Sequence, residues 1–424
     1  MPRIKFLASI MQRNVRKVNP LSYPGLVPVP PRRASLLGVI GYAWDADVFT
    51  ATDVMESVAV TRSTAIDVID ELVSRGLITE LPNARAVGDY RKGRPARRFA
   101  FRADAAFVVG LDAGRSHLTA TVSDLRGQTR AVEHLVVDAE DDAPDRRRRA
   151  AVEVVDSALE IAGVSRTEVA AMGVGLPAPM DSRGDSPTDR AEFWTRMNPG
   201  FARLFREWVP LVKVAIDASL ASVAERTLGA ARGCDDFVVL LAGERLGAGV
   251  WVDGRLLTGA HGGAGEMVAF DHVRGVDCAW GFGHRAVELA REARAAGTLP
   301  AESVLRSMAP ADIQGKDVFA AAALGDPGAR RITDEIGGSL AVIAGVFGSL
   351  FDTRLLVVSG AVADGAAPLI ETARRAVADT LHLPAPEIVA SALGADIVSL
   401  GAVCAAVQEA RLGILDLPRF AQPA

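Results

Sequence analysis

The feature that most constrains the fold of this sequence is a strand–turn–strand segment that occurs twice. The first copy joins the apolar stretch 106–112 to the alternating stretch 118–122, and the second joins 237–243 to 247–252. Alternation of apolar and polar side chains after a short turn predicts the return arm of a β-hairpin. Two similar halves, each continued by helical sequence, predict a bilobal α/β fold with a cleft between the lobes.

Length and charge divide the chain into a head and a body. A chain of 424 residues is too long for one ordinary core and predicts two or three domains. Residues 1–103 hold 16 Lys and Arg against 9 Asp and Glu, a net charge of +7, so the net −5 of the whole chain leaves −12 for the remainder. A basic head on an acidic body indicates that the head binds a polyanion, unless surface charge has drifted by chance.

The predicted domain boundaries follow changes of composition. Residues 1–33 contain seven basic residues, no acidic ones and a proline-rich stretch, so we predict a disordered basic arm. The alternatives for this arm are a contact with DNA phosphates, a misassigned start codon, or no role. Residues 34–103 are the predicted head, 106–412 the body and 413–424 a tail.

Cysteine usage and hydropathy limit the cellular setting. The three cysteines are scattered and odd in number, which is typical of a reducing cytoplasm rather than of a disulfide framework. The sequence has no run of 18 uncharged apolar residues, so no membrane span is expected. We therefore expect a cytoplasmic protein.

The head has the pattern of a winged helix-turn-helix. Helices are predicted over 35–42 and 52–56, and a third begins after the N-cap residue Thr61 and ends at Gly76. Apolar residues recur at helical spacing in this third helix: Ala65, Val68, Ile69, Leu72 and Val73. Short strands at 77–80 and 98–102 flank a basic loop, which completes the winged pattern.

Two parts of the head are candidate DNA contacts. The first turn of the third helix would face the major groove and read bases through Arg62, Ser63 and Thr64, a solvated helix start being the alternative.

The loop 85–98 carries six basic residues and one acid. We predict that Arg94 enters the minor groove, with a plain phosphate contact as the alternative, and that Arg97 and Arg98 bind phosphates.

An ordered series of motifs then gives a resemblance. The head contains a Gly-Arg-Pro wing at 93–95. After the head come three glycine-containing segments, at 110–116, 173–179 and 262–266, and an Ile-Asp-Ala-Ser segment at 216–219. Together they resemble the ROK family of repressors, open reading frames and sugar kinases, over residues 35–412, and the fused head resembles its repressor branch. The resemblance implies a ribonuclease-H-like, actin-type fold, a dimer or tetramer, operator DNA as partner, and a sugar or sugar-phosphate effector.

The resemblance also implies three requirements for sugar phosphorylation, of which the first concerns ATP. Two glycine-rich hairpins should let phosphates approach backbone amides. Here Arg115 stands where a small residue is usual, and Glu244 brings a negative charge to the second hairpin, which would repel a triphosphate. The stretch 358–361 lacks the usual glycines. We expect no ATP binding and no cofactor.

The second and third requirements concern the sugar. Asp217 matches the family's general base, although Ile216 and Ser219 replace the asparagines around it; a helix cap is the alternative for Asp217. Asn198 and Glu266 match residues of the sugar pocket. The matching histidine position falls on an alanine, and the nearby histidine is His272. The predicted ligand-binding set is Asn198, Asp217, Ser219, Glu266 and His272.

The family's zinc motif is incomplete here. Cys278 remains, but Trp280 stands at the position of the second cysteine, and His284 reads as a helix-start residue. A lone thiol cannot hold tetrahedral zinc, so no metal is expected. The sequence therefore predicts a non-enzymatic DNA-binding regulator of carbohydrate genes that acts as a repressor. The alternatives are a ligand-independent DNA-binding scaffold and an active sugar kinase.

Overall fold

The computed structural model describes residues 30–82, 96–188, 192–360, 362–377 and 384–421. The predicted arm lies outside these ranges except for its last residues. The loop 83–95, which contains Arg94, also lies outside them.

The head consists of three helices followed by an antiparallel pair of strands: α1 (Pro31–Asp45), α2 (Ala51–Val58), α3 (Arg62–Ser74), β1 (Ile78–Leu81) and β2 (Arg98–Phe101). Each of the last two helices starts at a threonine cap, because the Thr50 and Thr61 side chains accept the backbone N–H three residues later. Gly76 follows α3 with a φ of +73°, a conformation that favours glycine. The elements agree with the sequence prediction, and α1 is longer than predicted.

The first lobe of the body is a five-stranded mixed sheet in the order β5-β4-β3-β6-β7. The first three strands form an antiparallel meander and the last two run parallel to β3. Its elements are β3 (Phe107–Ala113), β4 (His117–Asp124), β5 (Thr129–Val136), α4 (Pro144–Ala162), β6 (Val169–Leu176), α5 (Phe193–Met197), α6 (Phe201–Arg206), β7 (Leu211–Ile216) and α7 (Asp217–Leu228).

The second lobe repeats this plan with the order β10-β9-β8-β11-β12. Again three antiparallel strands are extended by two parallel ones. Its elements are β8 (Phe237–Ala242), β9 (Leu246–Val252), β10 (Arg255–Leu256), α8 (Phe282–Ala295), α9 (Gly315–Ala323), α10 (Pro327–Phe351), β11 (Leu355–Ser359), α11 (Ala367–Val377) and β12 (Glu387–Ala390). The duplicated sheet confirms the two halves predicted from the hairpin repeat.

The chain then returns to the first lobe and the head through α12 (Ile397–Gly413) and the short helix α13 (Pro418–Ala421). Helix α12 packs on α7, β3 and β6. Both α10 and the stretch Ile397–Asp416 are long and apolar enough to cross a membrane by composition. Half or more of each apolar window is buried within the protein, as expected for core helices.

Head and body share one hydrophobic core. Buried side chains of the head helices, such as Ile40 and Leu72, belong to the same cluster as Ala171 of the first lobe and Ala406 of α12. The segment predicted as a tail contributes to this cluster through Ile414, Leu415, Leu417 and Phe420.

Polar contacts reinforce the junction. Arg411 of α12 pairs with Asp45 and donates to the Gly41 carbonyl at 2.8 Å, and the Trp44 indole N–H donates to the Leu125 carbonyl at 2.9 Å.

Candidate ligand cleft and DNA-binding surface

Two ionisable side chains flank the turn of the first hairpin, buried Asp112 and exposed His117. Asp112, 6% exposed at the end of β3, lies 3.1 Å from His117 Nε2 through its Oδ2 atom. This hydrogen bond raises the pKa of His117, and the charges of Asp396 and Asp217 add to the effect. Between them, Gly114 faces the imidazole so closely that a Cβ there would lie 2.5 Å from the ring. The turn is therefore built around His117.

Asp217 is the first residue of α7, at the carboxyl end of β7. Its Oδ1 atom accepts the Ala218 backbone N–H at 2.6 Å. The N-cap residue of α7 is Ile216, so Asp217 is the first helical residue and not the cap, and its role as a base remains a prediction. Burial raises the pKa of Asp217, and the charges of Asp112 and Glu266 act in the same direction. The Ala218 N–H and the charge of His117 oppose them, and the resulting pKa is about 7. A carboxyl group of this pKa exchanges its proton near neutrality and can act as a base or as a hydrogen-bond donor.

Glu266 approaches the second hairpin from a glycine-rich loop. It forms a β-bridge with Gly247, and the Ala248 N–H donates to the Gly265 carbonyl at 2.9 Å. A Cβ at Gly265, whose φ is +94°, would lie 1.8 Å from the Ala248 carbonyl, so only glycine lets the loop approach this closely. Burial raises the pKa of Glu266, and Arg245 opposes that shift. The structure thus brings Glu266 and Asp217 within electrostatic reach of each other.

The other three predicted ligand residues have different surroundings. Asn198 is 7% exposed and its Nδ2 donates to the Gly184 carbonyl and to Ser186 Oγ, both at 2.9 Å. Ser219 is buried in the first turn of α7, and His272 is exposed at the end of a short 3-10 helix. Asn198 therefore organises its own loop, and a ligand role for these three remains a prediction.

The region of the incomplete zinc motif is held by other contacts. Trp280 stacks on His284 with ring centroids 4.5 Å apart, and the Arg245 guanidinium lies 4.9 Å from the Trp280 ring centroid. Arg285 donates to the Cys278 sulfur at 2.8 Å. Among the described residues, no group of three or more His, Cys, Asp or Glu is arranged to hold a metal ion.

The start of α3 presents the predicted base-reading residues. Arg62 and Ser63 are exposed and Thr64 is half-buried. The Thr61 hydroxyl lies 3.1 Å from Ser63 Oγ and 2.9 Å from Thr64 Oγ1, so the cap orients both hydroxyls. The rest of the helix buries its apolar face in the head core.

The two basic residues beside β2 differ from each other. Arg97 pairs with both carboxylate oxygens of Glu80 at 2.8 and 3.0 Å and with Asp70 at 2.9 Å. Arg97 therefore links the hairpin to α3. A DNA phosphate that binds Arg97 would have to share its guanidinium with these carboxylates. Arg98 is half-buried within β2. Phosphate binding by either residue remains a prediction.

Two lobes of identical strand order, with a carboxylate at a helix start beside the first hairpin, define a sugar-kinase-like α/β fold. The chain belongs to the ROK family, whose model matches residues 108–409.

Its relatives include kinases and regulators. The bifunctional enzyme NanE/NanK of Brucella suis biovar 1 (strain 1330) is 31% identical over 229 residues, which are 50% of this chain and 39% of that enzyme. The DNA-binding transcriptional dual regulator NagC of Escherichia coli (strain K12) is 25% identical over 312 residues, 69% of this chain and 72% of NagC. The chain thus spans less than half the length of NanE/NanK.

A solved structure shares the fold over nearly the whole chain. The crystal structure of a ROK family transcriptional regulator, a homolog of the E. coli MLC protein, has a TM-score of 0.72 at 20% identity. The match covers 92% of this chain and 100% of that one, so the shared fold extends beyond the family-matched body.

Several features of the site were not predicted from the sequence. His117 was not singled out, although a histidine five residues after a strand-end aspartate, across a tight turn, is a signal that could have been used. The pairing of Arg115 with Glu244 joins two residues that the sequence marked separately. The shared core of head and α12 had no recognisable signal beyond apolar content.

Proposed function

We propose that this protein is a DNA-binding transcription regulator, acting as a homodimer on a pseudo-palindromic operator near carbohydrate genes. The observation that carries the proposal is the head: three helices and a hairpin whose third helix buries its apolar face and exposes Arg62 and Ser63 at its start. This arrangement supports a winged helix-turn-helix. The regulators among the ROK relatives support it.

The proposed effector is a sugar or a sugar derivative bound between the lobes. Asp217 and Glu266 supply carboxyl groups of raised pKa that can hydrogen-bond to hydroxyl groups. Ligand binding there would change lobe closure, and the shared core of head and α12 would carry that change to the DNA contacts. An effector that binds both states equally would not change DNA binding.

The test of this proposal has two parts. Genomic fragments selected by the purified protein should yield a common motif, and a thermal-shift screen of sugars and sugar phosphates should identify a ligand that stabilises the protein. A ligand at 100 times its Kd adds about 2.7 kcal/mol. Glu266→Ala should abolish that shift while leaving DNA binding intact, with Glu302→Ala, at an exposed residue between α8 and α9, as the control.

Three outcomes would redirect the interpretation. Operator binding that is indifferent to every ligand favours the scaffold alternative. Absence of any selected DNA motif contradicts the regulator proposal. A sugar that binds but leaves operator affinity unchanged supports the cleft and contradicts its coupling to the head.

A second function, sugar phosphorylation, is favoured by one observation. The pKa of Asp217, about 7, suits a general base, and the relatives include kinase enzymes. Against it stand Arg115 and Glu244 at the hairpin turns where phosphates would approach. Sugar-dependent ADP release that is lost in Asp217→Asn would establish this activity, whereas no turnover above the Asp217→Asn background supports the regulator.

A further inference from the structure

An ion pair links the two hairpin turns of the body. Arg115, in the turn between β3 and β4 of the first lobe, pairs through its NH1 group with Glu244, in the turn between β8 and β9 of the second. The Arg115 side chain is 32% exposed and that of Glu244 is 46% exposed. These residues come from different sheets, so the contact crosses from one lobe to the other.

Each turn is anchored within its own lobe. Arg147, 3% exposed on α4, donates to the Ala113 carbonyl at 3.0 Å and to the Gly114 carbonyl at 3.2 Å. On the other side, the Gly281 N–H donates to the Glu244 carbonyl at 2.8 Å. Because both backbones are held, movement of one lobe against the other changes the separation of the two charges.

Arg115 also has a partner in its own lobe. Its NH2 group lies 3.3 Å from an oxygen of Glu140, whose side chain is 87% exposed. When the lobes separate, the Arg115 guanidinium stays paired with Glu140 and becomes hydrated. Opening therefore leaves no buried unpaired charge. The contact can therefore form and break reversibly.

We propose that Arg115 and Glu244 form a latch between the lobes, which closes the hairpin end of the cleft without a nucleotide. The pair places opposite charges across the two hairpin turns at which the sequence resemblance leads us to expect the nucleotide phosphates of an active kinase. Closure of the lobes at this end then depends on the ion pair between Arg115 and Glu244. This inference concerns lobe closure and stands apart from the proposed DNA binding.

The test measures the distance between the lobes by double electron–electron resonance. Spin labels are introduced through a non-natural amino acid at Ile161 of α4 and at Leu324 beyond α9, which are 60% and 91% exposed. Either single reversal, Arg115→Glu or Glu244→Arg, places like charges opposite each other and should lengthen and broaden the distribution. The double reversal should restore the wild-type distribution.

The matched control is an ion pair within the first lobe. Arg166 and Asp156 are 45% and 43% exposed, so Asp156→Arg reverses a charge of similar environment. It should leave the interlobe distance unchanged, as should addition of the magnesium complex of a non-hydrolysable ATP analogue to the wild type.

The latch is refuted if the single reversals leave the distribution unchanged, if the double reversal does not restore it, or if the ATP analogue shifts the wild-type distance. Glu244→Gln, which removes the charge at constant shape, should give an intermediate distribution and serves where a reversal variant fails to fold.

Discussion

The two ends of α12 lie in opposite environments. At its start, Asp396 acts electrostatically on His117 in the candidate ligand cleft, as do the carboxyl groups of Asp112 and Asp217. At its end, the chain enters the hydrophobic core of the head, where Ile414 is fully buried. A polar end can respond to a ligand or a proton, whereas a close-packed end moves as one body with its neighbours. The contrast suggests how a change in the cleft could reach the head.

Between these ends, α12 has no room to slide. A Cβ at Gly173 of β6 would lie 2.1 Å from the Ala402 carbonyl, and one at Gly401 of α12 would lie 1.9 Å from the Leu220 carbonyl of α7. The obstructing atoms belong to the backbone, which cannot yield as a side chain can. The helix is therefore fixed against both the sheet and the helix that begins at Asp217.

At a single fixed pH, the largest expected effect on stability comes from breaking this close approach. Gly401→Ala forces α12 away from α7 and should lower the free energy of unfolding by about 3 kcal/mol. The control is Gly338→Ala in α10, where a Cβ meets nothing within 4 Å. That substitution should raise stability by roughly 0.5–1 kcal/mol through helix propensity. Urea unfolding of both variants measures the difference, and equal effects would contradict the close packing of α12.

The next expected effect is the pH dependence of stability that Asp217 produces near the start of α12. The native pKa of Asp217 is about 7, above the value of about 3.9 for an unfolded aspartate. Between these values the native state holds a proton that the unfolded state has lost, so this group makes stability fall as pH rises from 4 to 7. Asp217→Asn should remove on the order of 2–4 kcal/mol of that decline.

Thermal unfolding of the two proteins from pH 4 to pH 8 measures this effect. Asp416→Asn is the control at the head end, because Arg33 lowers the pKa of Asp416 and so confines its titration to more acidic solutions. That control should keep the wild-type slope between pH 4 and 7. Parallel slopes in wild type and Asp217→Asn would show that folding does not raise the pKa of Asp217.

A smaller effect on stability is expected from the polar contacts of Arg411 at the junction of head and body. Arg411→Met keeps the length of the side chain but removes its contacts with Asp45 and the Gly41 carbonyl. Both charged side chains are about one-third exposed, so solvent weakens the pair and the loss should be about 1 kcal/mol. Effector affinity should be unchanged, while the effector should alter operator affinity less than in wild type. Full coupling in Arg411→Met would show that the apolar junction suffices.

Sequence pattern predicted the elements because each is encoded locally. The Thr61 cap, the glycine after α3 and the alternation in the hairpins fix backbone conformation over a few residues, and the structure agrees with them. The repeat of two hairpins was enough to predict two sheets.

Contacts across long separations could not be predicted in this way. Arg115 meets Glu244 only because the fold brings the hairpin turns of two separate sheets together, and Arg411 meets Asp45 only because α12 returns to α1. Apolar residues near 414–420 lack a long periodic pattern, so the sequence predicted a tail there. In the structure, several of them are buried in the head core. Asn198 matched a family position, while the structure shows its amide engaged with its own loop.

The smallest effect on stability is expected at the start of α3, which is exposed, whereas the junction of the head with α12 is buried. Arg62→Ala should change the free energy of unfolding by less than about 0.5 kcal/mol, because Arg62 is exposed at the helix start. It should instead reduce discrimination between the operator and altered sequences by about 1–3 kcal/mol. Arg62→Lys keeps the charge but loses bidentate geometry, so it should retain most nonspecific affinity and still lose discrimination. Competition binding with operator and scrambled DNA measures both, and unchanged sequence preference in the two variants would mean that another element reads the bases.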